Sequence, residues 1–210
     1  TYGHSYSVND GTSSVAYSNW KGNVSVDTNS SELSYSIFDR PHKVMAMVTY
    51  TTPVYKNMQT SISLSYDGQS GQRFSYNMNE APSSGFNGDG MQGNSLLYIP
   101  TTEEVVKMHW QTATDAVAFE EYIRADKYLS ANRGKWSERY GGMAPFEHHF
   151  DLHISQDFFY DKTYGRKVQL TFDVLNVGNL LNPNWGVYYS NASYLQILGV
   201  TALTPDEAGN

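Results

Sequence analysis

The sequence predicts an all-β chain of antiparallel strands, and three observations support this fold class. First, apolar and polar residues alternate in several runs, and a period of two places them on opposite faces of a strand. Second, 17 Tyr, 17 Gly and 9 Phe accompany only 17% charged residues, a composition typical of strands joined by turns and bordering a wet inner surface. Third, the clearest runs are joined in pairs by short polar turns, as in hairpins.

The first forty residues are predicted to contain little regular structure. Residues 1–8 alternate aromatic and small side chains, which predicts a strand end, and Asn-Asp-Gly at 9–11 is a turn signal. Residues 10–31 are rich in Ser, Asn, Thr and Gly, so we expect a long loop with at most a short strand. Residues 32–40 alternate again and lead into Pro41.

A hairpin is predicted for residues 42–66. Its first strand carries on one face Val44, Ala46, Val48 and Tyr50. The opposite face carries Met45, Met47 and Thr49. Its second strand alternates Ile62, Leu64 and Tyr66 with Ser61, Ser63 and Ser65. Residues 56–59 form the tight connection between the two strands.

Residues 67–145 are predicted to be a long loop that contains short helices. The segment begins as an extension of the preceding strand and continues through a stretch rich in Gly, Ser and Asn. Thr102, followed by two glutamates, predicts a helix N-terminus, and Asp115 predicts the cap of a second helix. Gly134 is expected to end the helical region. We interpret its apolar side chains (Phe119, Tyr122, Ile123 and Leu129) as a packing face.

The clearest hairpin is predicted for residues 146–182. Its first strand carries on one face Phe150, Leu152, Ile154 and Phe158, and on the other Asp151, His153, Ser155 and Asp157. Its second strand opposes Val168, Leu170, Phe172 and Val174 to Gln169, Thr171 and Asp173. Residues 161–167 form the turn. A last strand is expected within residues 187–200, followed by a polar tail that is expected to fray.

The lengths of the connections indicate a transmembrane β-barrel of the outer-membrane type. Both hairpins have short turns at one end, whereas the segments at the other end are long, as in barrels with short periplasmic turns and long extracellular loops. The strands offer the roughly 9–11 residues that a tilted membrane strand needs. Aromatic residues gather toward both ends of the strands, as in the two interfacial belts of membrane proteins. The polar face, with Asp151, His153 and Asp173, then lines a watery lumen.

The same alternation also fits a soluble β-protein, in which one face of the sheet packs on a core and the other meets water. A β-sandwich that holds carbohydrate on exposed Tyr and Trp is one such alternative, and a surface adhesion protein is another. We expect a soluble, monodisperse chain under these alternatives and a detergent-dependent one for the barrel.

Several segments of the chain together resemble the C-terminal part of TonB-dependent outer-membrane receptors of the Bacteroidetes, Oar-like type. They occur in the same order along nearly the whole sequence: RPHK at 40–43, YDGQSGQRFSY at 66–76, NGDG at 87–90, LLYIP at 96–100, YLSANR at 128–133, and FDVLNVGNLLN at 172–182, followed by Trp185-Gly186.

This resemblance implies a nutrient transporter in the outer membrane of a Gram-negative bacterium, with a barrel of about 22 strands. It implies a plug domain in the lumen and energy supplied through the TonB complex; a surface lipoprotein is a further candidate partner. The chain itself would supply about six or seven strands, so the rest of the barrel, the plug and the lipid would all be partners. We therefore expect residues 1–210 to be a segment of a larger protein.

The sequence contains weak indications of a metal site. Asn87 and Asp89, in the Asn-Gly-Asp-Gly stretch, are similar to the start of a calcium loop, but the first ligand position is occupied by Gly85 and no closing glutamate follows. The histidines at 148, 149 and 153 lie close to two carboxylates, although we expect them to be polar lumen and rim residues. We therefore predict neither a metal nor a cofactor.

Other functional classes lack support in the sequence. No nucleophile elbow, zinc-protease motif or phosphate loop is present, so we expect no catalytic residues. The formal net charge of −7 argues against nucleic acid as a partner, because phosphate binding needs a basic face. No run approaches the roughly 18 apolar residues of a membrane-spanning helix.

Overall fold

The computed structural model describes residues 1–9, 11, 13–30, 32–80, 86–161, 163–189 and 193–200. Gly85, the first position of the possible calcium loop, and the tail at 201–210 lie outside the described residues.

The described residues contain eleven strands and five helices. The strands are β1 (Tyr6–Ser7), β2 (Ser34–Tyr35), β3 (Lys43–Thr51), β4 (Met58–Gln69), β5 (Arg73–Glu80), β6 (Tyr98–Ile99), β7 (Lys135–Trp136), β8 (Gly142–Met143), β9 (Glu147–Asp161), β10 (Arg166–Val174) and β11 (Tyr194–Val200). The helices are α1 (Ala16–Lys21), α2 (Thr102–Lys107), α3 (Ala113–Ala125), α4 (Lys127–Ala131) and α5 (Val177–Leu181). Antiparallel sheets dominate, which confirms the predicted class, although β11 pairs with β5 in parallel.

The chain separates into two compact units. The sheet unit comprises Thr1–Gly3, Arg40–Gly71 and Pro145–Tyr189, and the core unit comprises His4–Asp39, Gln72–Ala144 and Ser190–Asn210. No helix among the described residues is long and apolar enough to cross a membrane.

The sheet unit contains one four-stranded antiparallel sheet in the order β10-β9-β4-β3. Both predicted hairpins are confirmed, and the register pairs them side by side through β4 and β9. The first turn is two residues long: Lys56 and Asn57 both have positive φ, and Tyr55 and Met58 exchange backbone hydrogen bonds, as in a type I′ turn. In the second turn, Asp161 Oδ1 accepts the backbone N–H groups of Thr163 and Tyr164. The two turns lie at the same end of the sheet.

The second hairpin is shorter than the predicted 146–182, because β10 ends at Val174. Asn176 adopts the left-handed conformation (φ 55°), and α5 follows directly. The Asp151 carboxylate accepts the Asn176 N–H at 2.7 Å, which holds this reversal of the chain. The alternation of the sequence did not show where β10 ends. Asparagine tolerates the left-handed region, which allows the chain to turn at this position.

The core unit contains the buried apolar core. Its core side chains are Phe74, Tyr76, Met78, Leu97, Ile99, Val105, Phe119, Ile123 and Leu129. They come from β5, from the segment around β6 and from helices α2, α3 and α4. The predicted long connection at 67–145 contains helices, as expected, and most of this segment folds around a core of its own.

The helices of the core unit begin one to three residues earlier than predicted. Thr101, not Thr102, caps α2, because its side chain and that of Glu104 form a reciprocal capping box. Thr112 caps α3 in the same way, and Asp115 is its partner at the third helical position. A threonine followed three residues later by a carboxylate is the signal that decides between neighbouring caps.

Other elements of the core unit also differ from the sequence prediction. The expected last strand at 187–200 is limited to β11, and the expected strand at 1–8 is limited to β1 and a bridge between Tyr2 and His42 in the sheet unit. Residues 16–21 form α1 where a short strand was allowed. Six strands have seven or more residues, but only four share a sheet, and the described sheets do not close into a barrel.

Candidate functional site

The register of the sheet unit separates its side chains into a polar face and an apolar face. Residues directly opposite each other in neighbouring strands lie on the same face. One polar row crosses all four strands through Thr49, Ser63, His153 and Asp173. An adjacent apolar row runs through Tyr50, Ile62, Ile154 and Phe172. The predicted faces are therefore continuous over four strands.

Apolar side chains on one face of the sheet are exposed instead of packed on a core. Leu170 on this face is 62% exposed, while exposure on the polar face ranges from 7% at Asp157 to 57% for the Asp173 side chain. The exposed apolar side chains also include Val44, Val48, Tyr50, Ile62, Leu64, Val168 and Phe172. An apolar patch of this extent, in contrast to isolated exposed residues, marks a surface that contacts lipid or protein.

The polar face is held together by hydrogen bonds between neighbouring strands. His153 Nδ1 lies 2.5 Å from Asp173 Oδ1. Asp157 accepts a hydrogen bond from Lys167 Nζ at 2.5 Å and another from Gln169 Nε2 at 2.8 Å. Hydroxyl pairs link Thr49 to Ser63 and Thr51 to Ser61. The polar side chains thus satisfy one another and leave carboxylate and imidazole groups available at the surface.

The structure brings two of the three predicted lumen residues together. His153 and Asp173 form a hydrogen-bonded pair whose side chains are 44% and 57% exposed. Asp151 lies on the same face, two residues from His153, but one of its oxygens is engaged with the Asn176 N–H. A ligand that reached this face would therefore meet the His153–Asp173 pair first.

The three neighbouring histidines of β9 do not form one site. His148 lies on the apolar face, where its Nδ1 is 2.8 Å from the Tyr66 hydroxyl, whereas His153 pairs with Asp173 on the polar face. In the part of the chain that the structure describes, no three His, Asp or Glu side chains are arranged to hold a metal ion.

The carboxylate of Asp89 serves as the acceptor of a turn. Its oxygens accept hydrogen bonds from the Met91 N–H and from the side-chain amides of Asn87 and Asn94, and the side chain is almost fully buried. A calcium ion would need the same lone pairs, so these contacts account for the Asn87–Asp89 stretch without a metal.

Buried charges lie at positions that sequence reasoning did not single out. In the sheet unit Glu147 is buried and accepts hydrogen bonds from Arg40 at 3.3 Å and Gln69 at 3.1 Å. In the core unit Asp39 is buried and lies 2.6 Å from Arg73 Nε. These partners are far apart in sequence, and no local sequence pattern predicts their contact.

A cavity of about 1130 Å³ opens in the core unit. Aromatic side chains from β6, β7 and the α2–α3 region line it, among them Tyr98, Trp110, Tyr122 and Trp136. The sequence assigned the helical face to packing, which is correct for Phe119 and Ile123, but Phe119 and Tyr122 of the same helix also border the cavity. Helical spacing alone does not separate these two roles.

Comparisons with known proteins leave the family open. No family model matches the chain, and searches of curated proteins and of solved structures found no similar protein.

Proposed function

We propose that the sheet unit is part of the wall of a β-barrel in the outer membrane of a Gram-negative bacterium. The observation that carries this proposal is the exposed apolar face of the four-stranded sheet, on which Val48, Leu170 and Phe172 are each more than 60% exposed. Barrel strands alternate in this manner, with apolar residues toward lipid and polar residues toward the lumen.

The dimensions of the sheet support the proposal. β3 and β10 have 9 residues each, β4 has 12 and β9 has 15, enough to cross a bilayer at a tilt. On β9, the eight steps from Phe150 to Phe158 span about 26 Å, which matches an apolar band of about 25 Å.

Aromatic side chains mark the ends of this band. Tyr66, His148 and Phe150 stack at the end with the long connections, with ring centroids 4.9 Å apart for Tyr66 and Phe150. Phe158 and Tyr160 are exposed near the short turns. Thr60 and Gln156 are a polar pair on the apolar face and hydrogen-bond to each other at 2.6 Å. This bond lowers the free-energy cost of placing the two polar side chains beside lipid.

Within this proposal the chain belongs to a TonB-dependent receptor for nutrient uptake, as its sequence resemblance suggests. The polar face with His153 and Asp173 would line the lumen, beside a plug domain and further strands. Residues 72–144 would lie outside the cell, since they join β4 and β9 at the end opposite the short turns. Lipid, the remaining barrel and the TonB complex would be its partners, with a surface lipoprotein as a further candidate, and no catalysis is assigned to it.

The alternative of a soluble carbohydrate-binding sandwich, or of an adhesion module, accounts less well for the sheet unit. A sandwich buries the apolar faces of its sheets against each other. Here the apolar face of the four-stranded sheet is exposed in its central rows, for example at Ile62 and Phe172, and it would require a partner surface in water.

Fractionation of cells that express the protein tests the proposal. We expect the chain in the outer-membrane fraction, resistant to extraction by salt and alkali and released only by detergent. In gel electrophoresis, the unheated sample of the assembled barrel should migrate differently from the boiled one. Recovery of a monodisperse, detergent-free chain with a cooperative melting transition would contradict membership of a membrane barrel.

A further inference from the structure

The cavity of the core unit has a largely apolar floor. Met78 of β5, Phe119 of α3 and Leu198 of β11 border it. Trp110 packs against Phe119 with ring centroids 5.2 Å apart, and Trp136 packs edge-on against Tyr98 at 5.4 Å. Cavities with such floors bind ligands that carry large apolar groups, and the flexible methionine adapts to their shape.

The polar atoms of two lining aromatic side chains are already engaged. The Trp110 indole N–H donates to the Val105 carbonyl at 2.8 Å, and the Tyr98 hydroxyl donates to Glu104 at 3.1 Å. These residues therefore offer ring faces and edges more than hydrogen bonds.

The wall of the cavity includes the backbone of an edge strand. β11 is the edge of its sheet, and within the described residues it pairs only with β5. Gly199 of β11 borders the cavity and has no side chain to cover the backbone. A Cβ atom built at this position meets nothing within 4 Å, so the space above the strand is open. Edge strands with free backbone groups accept an added strand.

The rim carries a cationic side chain. Lys107 and His109 border the cavity and are exposed, and neither forms an ion pair within the described part of the chain. Asp115 also borders the cavity, and its carboxylate accepts the Thr112 N–H at 3.0 Å. The Lys107 ammonium group therefore offers a partner for a carboxylate of the ligand.

We propose that the core unit binds an extended peptide that adds to the free edge of β11, places alternate apolar side chains in the cavity and directs a carboxylate toward Lys107 and His109. This inference rests on the proposed function for its role, since the bound peptide would be the nutrient captured for uptake. Binding itself can be measured on the purified chain, whether or not the chain comes from a membrane.

Titration with a defined probe tests the proposal. The probe is a fluorescein-labelled hexapeptide of alternating serine and leucine with a free C-terminal carboxylate, added to the full chain in detergent and followed by fluorescence anisotropy. Saturable binding is expected. A probe that is N-methylated on the amides along one edge should bind at least tenfold more weakly, because those amides can no longer pair with β11. An amidated probe that ends in lysine should also bind more weakly.

Two matched glycine variants locate the site. Gly199→Val fills the open space over β11 and should weaken binding at least tenfold without loss of folding. Gly3→Val, at another glycine where an added Cβ meets nothing within 4 Å, should leave binding unchanged. Lys107→Glu should weaken binding of the carboxylate probe severalfold. The affinity of this probe should then be close to that of the amidated probe.

Three results would overturn the peptide site: no saturable binding, equal affinity of the N-methylated and unmodified probes, or competition by cellohexaose, which would indicate a glycan site. None of these results changes the outcome of membrane fractionation. A peptide site in a chain that fractionates as soluble would instead remove the proposed transport function and leave the binding intact.

Discussion

The sheet unit and the core unit are both built on strands, yet they treat their apolar side chains in opposite ways. In the core unit every residue of β5 except Asn79 is buried, apolar and polar alike. In the sheet unit Val168, Leu170 and Phe172 of β10 are exposed. The core unit thus buries its own apolar surface, whereas the sheet unit needs another apolar phase to cover its surface. We infer that their stabilities respond to different surroundings.

The largest difference is expected from the buried ion pair of the core unit. Asp39 and Arg73 are 1% and 4% exposed, and the guanidinium also lies 3.6 Å from the centre of the Tyr35 ring. Asp39→Asn leaves a buried charge without its counterion, so we expect a loss of about 3–5 kcal/mol in the free energy of unfolding. Denaturation followed by tryptophan fluorescence measures it, since three of the four tryptophans belong to the core unit.

A double variant provides the control for this prediction. Asp39→Asn combined with Arg73→Met removes the unpaired charge together with its partner, and part of the lost stability should return. A single variant as stable as the wild type would mean that the Asp39–Arg73 pair is accessible to water. The proposed difference in burial between the two units would then be wrong for this pair.

Truncation of a leucine is expected to affect the stability of the two units differently. Leu129 is fully buried in the core unit, and Leu129→Ala should lower the free energy of unfolding by about 2–5 kcal/mol through lost contacts and a cavity. Leu170→Ala is the matched change on the apolar face of the sheet unit, and in detergent it should alter stability by less than about 0.5 kcal/mol. Equal losses from the two variants would show that the face around Leu170 is covered by protein.

A charge placed on the apolar face tests what covers it. Leu170→Arg should cost about 2–4 kcal/mol if this position faces the middle of a bilayer. The control is Thr171→Arg, the next residue on the opposite, polar face, which should assemble nearly as well as the wild type. The fraction of heat-modifiable protein in outer membranes measures both. Equal assembly of the two variants would mean that the assignment of the faces to lipid and lumen is wrong.

The sequence was sufficient to predict the two hairpins of the sheet unit, because the paired strands of each hairpin are close in sequence. A period of two, a tight connection at 56–59 and a short turn at 161–167 together define them. The pairing of β4 with β9 is not local and was not predicted. The same patterns defined which residues share a face, including His153 and Asp173. They could not show that Asp151 would hold Asn176, because that contact depends on where β10 ends.

The core unit was harder to predict for a physical reason. Its sheet joins β5 to β11, more than a hundred residues further along the chain, and such pairing leaves no mark in the local pattern. The buried pair of Asp39 and Arg73 and the cavity beside Trp136 depend on the same long-range packing. The starts of α2 and α3 were recognised to within three residues, because capping boxes at Thr101 and Thr112 are local signals.

Acid provides a smaller and graded test of the core unit. Burial alone would raise the pKa of Asp39, but hydrogen bonds from the Ser5 N–H, Arg73 and His4 outweigh it and hold this pKa below its usual value of 3.8. Because the folded pKa is depressed, the stabilisation by Asp39 is present above pH 3.8 and is lost as the pH falls through the folded pKa. The stabilities of the wild type and Asp39→Asn should therefore converge in strong acid, as measured by urea denaturation at a series of pH values.

The smallest effect on stability is expected from Asp173, an aspartate of the sheet unit that pairs with a histidine. Its partner His153 lies at 2.5 Å, but both side chains are about half exposed, and water screens such a pair to a contribution of about 0–1 kcal/mol. Asp173→Asn should therefore change the free energy of unfolding in detergent far less than the same substitution at Asp39. A loss as large as that of Asp39→Asn would mean that the polar face is closed off from water. In that case the sheet unit would resemble the core unit, and a water-filled lumen on this face would be excluded.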